Sequence, residues 1–112
     1  MKRYYEKNGN CWYEDTLIKF ASDDKNIISS GEWSGVKSFE SKKLYWKINN
    51  LFDFLIHYGK VKDADLNYPI ILTPKGGIAD GMHRIAKAIL EGKKTIKYKQ
   101  LKEMPRHDFK KD

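Results

Sequence analysis

The chain contains a single cysteine, Cys11, so it cannot form an intrachain disulfide or build a multi-cysteine metal site from its own residues. Cys11 is expected as a buried or half-buried apolar residue. No run of about 18 apolar residues occurs, which removes a helical membrane span. The opening Met1-Lys-Arg-Tyr-Tyr-Glu carries no apolar signal region, and the expectation is a cytoplasmic protein with no membrane partner. There is no internal repeat, and the carboxylates do not cluster as a two-metal nuclease requires. At 112 residues the length suits one domain with one core and is too short for an independent second module.

What the chain does have is positive charge, unevenly placed. Lys and Arg number 22 against 15 Asp and Glu, for a formal net charge of +7. Residues 1–56 hold nine basic and eight acidic side chains, whereas residues 57–112 hold thirteen and seven. A C-terminal excess suits a nucleotide, a nucleic acid or an acidic protein, each of which offers clustered negative charge. A lysine-rich solvated face is the ordinary alternative.

Aromatic runs flank Asn8-Gly9, a dipeptide suited to a tight turn with positive φ, so residues 4–13 predict a hairpin. A brief helix follows over residues 15–21 with Asp15 as its cap, ending near Ser22. Residues 22–40, rich in Ser, Asp, Asn and Gly, predict a long connection carrying one short strand, anchored by Ile27, Ile28 and Trp33. Leu44, Tyr45, Ile48, Leu51, Phe52 and Leu55 then recur at the spacing of one helical face. Ser38 or Ser41 can cap that helix, Gly59 can end it, and Asp53 and His57 lie one turn apart on it. Tyr68-Pro-Ile-Ile-Leu72 reads as a buried strand with Pro69 at its start, and Thr73-Pro-Lys-Gly-Gly77 as a turn. Ile78-Ala79 resumes as the second arm of a hairpin. The next helix places Ile85, Ala88 and Ile89 on one side, Lys87 and Glu91 on the other, and stops at Gly92. Residues 95–101 alternate as a half-buried strand, with Ile96 and Tyr98 opposite Lys97 and Lys99. The basic tail from Lys102, with Pro105, is expected to be loosely ordered.

The candidate site lies between that hairpin and the helix after it, at Asp80-Gly81-Met82-His83-Arg84. Free N–H groups and the helix dipole favour an anion at a helix N-terminus, so a phosphate is the ligand to consider. Lys75 and Lys87 are near enough in sequence to add positive potential, and His57 can point at the ligand from the neighbouring helix.

This motif, preceded by a hairpin and followed by an Ala-rich helix and a strand, resembles the ParB/sulfiredoxin superfamily. More narrowly it is similar to small stand-alone ParB-like proteins of bacterial and phage genomes with an Asp-Gly-Met-His-Arg signature. The resemblance covers roughly residues 44–101. It implies a compact α/β (α+β) domain, a small mixed sheet with helices packed against it. Residues 1–40 would form an aromatic-rich strand and loop region, 41–101 the core and 102–112 the tail. It implies that a nucleotide's phosphates (ATP, ADP or CTP, with or without Mg²⁺) rest at the helix start. Gly81 would allow close approach, the N–H groups of Met82 and His83 would face the phosphates, and His83 and Arg84 would give charge-assisted contacts. Asp80 would orient a hydroxyl or water, act as base, or hold Mg²⁺ through water. Sulfiredoxins carry a cysteine where Met82 stands, so their thiol chemistry is excluded. The helix-turn-helix and Arg-rich motif of chromosome-partitioning members are missing. Members that phosphorylate serine with ADP share the motif and make phosphoryl transfer the nearest precedent. Asp80, His83 and Arg84 are the catalytic candidates.

Two other readings stand beside this one. Lys93, Lys94, Lys97 and Lys99 could form a stripe beside Tyr98 for nucleic-acid backbones. Three tryptophans and seven tyrosines also suit an interaction protein, such as a phage factor that sequesters a host component.

Overall fold

The computed structural model describes residues 3–36 and 63–111. They are of mixed α/β class, with two α-helices and two sheets, one of three strands and one of four. The residues divide into two units, Met1–Ser30, Ile70–Asp80 and Tyr98–Asp112 in the first, Gly31–Pro69 and Gly81–Lys97 in the second. The helix expected from Leu44, Tyr45 and their repeats, with Asp53, His57 and its caps, lies outside the described residues.

The first unit starts with the expected hairpin. β1 (Tyr4–Lys7) pairs antiparallel with β2 (Asn10–Tyr13), Lys7 facing Asn10 and Tyr4 facing Tyr13. Asn8 (φ 52°) and Gly9 (φ 86°) both take positive φ, the two-residue turn whose twist matches paired strands. A third strand, β7 (Phe109–Lys110), joins the far side of β2, placing β2 in the middle. The tail is therefore ordered, contrary to expectation. The Trp12 indole N–H donates to the Pro105 carbonyl at 2.6 Å, the Asp108 N–H to Cys11 O at 2.8 Å, and the Lys111 N–H to Gly9 O at 2.7 Å.

Alternation along β2 sorts its side chains. Trp12 faces inward with its cross-strand partner Tyr5 and forms the core with Leu17, Ala21, Ile71 and Leu101. Tyr4, Cys11, Tyr13 and Phe109 share the opposite face by register. Cys11 is small enough for the Tyr4 and Phe109 rings, 5.2 Å apart, to approach across the middle strand, and it is fully buried. Burial pushes its thiol up, Glu6 adds to the shift, and Lys111 opposes it.

Helix α1 (Glu14–Ala21) follows β2 without a linker. Tyr13 holds the cap position with no side-chain bond, so Asp15 is not the cap but lies in the first turn. The cap position is the last residue of β2, and an aromatic side chain fills it instead of a polar one. The Glu14 N–H is satisfied instead by Arg3 O at 3.1 Å. Residues 24–26 make one 3₁₀ turn, held by Asn26 Nδ2 donating to Phe20 O. The connection then becomes a seven-residue strand, β3 (Ile27–Trp33), longer than expected. Ile27 packs against the core, but Ile28 is 64% exposed and is no anchor, because neighbours on a strand face opposite ways.

β3 begins a four-stranded sheet of order β3-β6-β4-β5. β4 (Ile70–Leu72) is antiparallel to β5 (Ile78–Asp80) and parallel to β6 (Ile96–Leu101). Flanked on both sides, β4 is buried at all three positions, whereas Tyr68 stays outside the strand and 64% exposed. β3 passes from the first unit to the second at Gly31, and β6 from the second to the first at Tyr98.

The second unit contains helix α2 (Met82–Leu90). Ile85 and Ala88 are buried as the spacing predicts; Ala86 is the third buried residue, and Ile89 is half-buried. Gly92 (φ 72°) ends the helix in a Schellman motif, with Gly92 N–H on Ile89 O at 3.1 Å and Lys93 N–H on Ala88 O at 2.8 Å. No described helix is long and apolar enough to cross a membrane.

Replacing Trp12 by Phe keeps the ring but leaves the Pro105 carbonyl without its donor. It should cost about 1–3 kcal/mol in a urea titration, and an unchanged midpoint would contradict the role given to that bond. The raised Cys11 thiol sets a second expectation. Above about pH 8.5 the unfolded chain loses its thiol proton first and binds fewer protons, so stability present below that pH falls as pH rises. Cys11→Ala should show a shallower decline between neutral and alkaline pH.

Candidate phosphate site at the start of the second helix

Within the first unit, the β4–β5 turn is fixed by Thr73. This buried residue donates its N–H to Gly77 O (2.8 Å), accepts from Gly76 N at its carbonyl (2.9 Å), and accepts from Gly77 N at its hydroxyl (3.0 Å). Gly76 (φ 89°) supplies the left-handed residue the turn needs. Gln100 Nε2 adds bonds to the Thr73 and Pro74 carbonyls, both at 3.2 Å. Lys75 is exposed on this turn, and Asp80, half-buried and paired with Ile71, closes β5.

Gly81 opens the second unit's helix. Its φ of 114° and ψ of 18° belong to glycine alone, and its carbonyl accepts both the Arg84 N–H (3.0 Å) and the Ile85 N–H (3.1 Å). The amides of Met82 and His83 precede those first intrahelical bonds. Gly81 itself holds the cap position.

The two cations of α2 are engaged with backbone. Arg84 Nη1 donates to Pro69 O at 3.0 Å, and Lys87 Nζ donates to Ala64 O at 2.6 Å while lying 3.9 Å from Glu91. The segment they hold is bent by Asp65, whose carboxylate accepts from Asn67 N at 2.9 Å and whose carbonyl accepts from Tyr68 N at 3.2 Å. Pro69 and Ala64 were not among the sequence candidates. Asp65-Leu-Asn67 was the available signal, since Asp favours such a side-chain turn.

Gly81, Met82, His83, Arg84 and Lys87 therefore belong to one unit, with Met82, His83 and Arg84 half-buried. Lys75 and Asp80 belong to the other, and His57 lies outside the described residues. The expected lysine stripe divides: Lys93, Lys94 and Lys97 are exposed, but Lys99 is half-buried, its ammonium donating to Ala21 O at 3.3 Å. Tyr98 shares a hydrogen bond with the Ser29 hydroxyl. Among the described residues, no three His, Cys, Asp or Glu side chains converge on a metal position. No family model matches the chain, and no curated protein or solved structure matches it.

The two glycines of α2 should respond differently to a methyl group. At Gly92 nothing lies within 4 Å of an added Cβ, so Gly92→Ala should cost only the left-handed penalty, about 1–2 kcal/mol. At Gly81 the backbone lies beyond the left-handed well that alanine tolerates, and Gly81→Ala should cost about 2–3 kcal/mol. Equal losses in thermal unfolding would show that the bend at Gly81 is not constrained.

Proposed function

We propose that this chain binds the phosphates of a nucleotide at the N-terminal end of α2, as a ParB/sulfiredoxin-like protein. The observation that carries the reading is the positive φ of Gly81, which starts the helix with no Cβ to stand in a ligand's way. A phosphate can approach such a backbone closely, and the positive end of the helix dipole favours it there. Arg84 is held at its post by the Pro69 carbonyl, and His83 precedes it; both would give charge-assisted bonds to phosphate oxygens. Asp80, the residue before Gly81, would orient the acceptor hydroxyl or water in phosphoryl transfer or hydrolysis, and would hold Mg²⁺ through water. Lys87 contributes less to this reading than its sequence position promised, because its ammonium already serves Ala64 and Glu91.

Isothermal titration with ATP, ADP and CTP, each with and without Mg²⁺, tests the proposal. Saturable binding by at least one nucleotide is expected, weakened about tenfold by Arg84→Met, in keeping with the ~1.5–3 kcal/mol of a bond to a charged group. Absence of binding by all three at millimolar concentration would refute it.

A further inference from the structure

We infer that Asn8-Gly9 is a modification site, at which Asn8 loses ammonia through a cyclic imide and becomes isoaspartate, and that the folded turn holds this reaction off. The rearranged product loosens the tail strand β7, so the reaction leaves a one-way mark on chains whose first hairpin has opened.

The chemistry follows from the pair of residues. The Gly9 backbone nitrogen attacks Cγ of the Asn8 side chain and closes a five-membered ring; the Cγ–Nδ2 bond breaks, and ammonia leaves with the Gly9 amide proton. Water then opens the ring. Breaking the ring bond to Cγ leaves aspartate, whereas breaking the bond to the main-chain carbonyl carbon leaves isoaspartate, whose backbone runs through Cβ and Cγ. A side chain on the following residue would crowd the attacking nitrogen, and glycine has none. Of the six asparagines, Asn8 is the one followed by glycine, and its side chain is exposed to water.

The turn opposes the first step. With φ of 52° at Asn8 and 86° at Gly9, it is of the type with positive φ at both central positions. Attack needs the Gly9 nitrogen on the same side of the Asn8 Cα–C bond as Cβ, and this turn type directs it nearly the opposite way. The pairing of Lys7 with Asn10 resists that rotation. Gly9 is also held from the far side of β2, where its carbonyl accepts the Lys111 N–H at 2.7 Å and the Cys11 thiol at 3.8 Å. Ring closure therefore proceeds from the opened turn, at a rate set by how often the turn opens.

Isoaspartate adds a backbone atom to a turn of two residues. Gly9 cannot then keep both the Lys7–Asn10 register and its close approach to Lys111, whose carbonyl oxygen lies 3.1 Å from where a Gly9 Cβ would stand. β7 is two residues long and is tied at that end by the Lys111 bond. Aspartate leaves the backbone unchanged and tolerates positive φ as asparagine does.

The test is incubation of the full chain at mildly alkaline pH, in native buffer and in concentrated urea, with peptide mass spectrometry following conversion of the Asn8 amide to an acid. The folded chain should react at least about tenfold more slowly, and in urea every other asparagine should lag behind Asn8. The isoaspartyl chain, made in urea, separated by chromatography and refolded, should unfold at lower urea than Asn8→Asp. Its Asp108 and Lys111 amides should exchange about tenfold faster than in that variant, which carries the same charge on a normal backbone. No reaction at Asn8 in urea, equal rates in the two states, or an isoaspartyl chain as stable and as protected as Asn8→Asp would overturn the inference.

Discussion

The hydrogen bond from the buried Trp12 indole to the Pro105 carbonyl is the constraint on which the first unit depends. A tryptophan so enclosed must find an acceptor for its N–H, and here the acceptor is 93 residues away in sequence. Once Pro105 is held, the chain beyond it can run beside β2, Asp108 meets the backbone of Cys11 and Tyr13, and Phe109 takes its place opposite Cys11. A two-stranded hairpin is marginal in water, and the third strand makes β2 an interior one. The alternation of Cys11, Trp12 and Tyr13 then has two consequences at once: an apolar core on one side and an aromatic face on the other.

In the second unit the corresponding constraint is glycine at both boundaries of α2. Nine residues are too few for a helix to persist alone in water. Its buried Ile85, Ala86 and Ala88 supply packing, Gly81 and Gly92 set where it begins and ends, and Arg84 and Lys87 join it to the turn around Asp65. The C-terminal boundary is a complete Schellman motif, so its orphan carbonyls are met by its own backbone. At the N-terminal boundary Gly81 takes a positive φ and its carbonyl accepts the first two intrahelical N–H groups, those of Arg84 and Ile85.

Features encoded within a few residues were legible in the sequence. Asn8-Gly9 specified the first hairpin, Tyr68-Pro-Ile-Ile-Leu72 and its Gly-rich turn specified the second, and Gly92 marked the end of α2. Features that arise from distant pairing were not. Ile27–Trp33 contains Ser-Ser-Gly and reads as a loop, yet hydrogen bonding to β6 makes it a strand, since strand propensity yields to context. Phe109–Lys110 is only two residues long, and nothing nearby announces that β2 is its partner. At the candidate site the glycine was legible from its position before the helix. The Arg84 bond to Pro69 was not, because sequence spacing gives no direction to a long side chain.

Charge counting also treated every lysine and arginine alike, and the structure separates them. Lys87, Lys99 and Arg84 each satisfy a backbone carbonyl, Lys99 at the C-terminal end of α1, where a cation also suits the helix dipole. Removing one would leave an acceptor unmet, so these belong to the fold as much as to any ligand. On the three-stranded sheet Lys111 is exposed and its ammonium donates to the Tyr4 hydroxyl rather than to a backbone carbonyl. The field of an exposed cation reaches about one Debye length, roughly 8–10 Å at moderate salt, and is weakened by added salt. A helix terminus acts within its first turn and through directed N–H groups. The net charge of +7 is therefore not one uniform attractor. Long-range attraction of a polyanion falls to exposed side chains, whereas recognition of a compact phosphate falls to peptide geometry, and Gly81 is the residue on which that geometry turns.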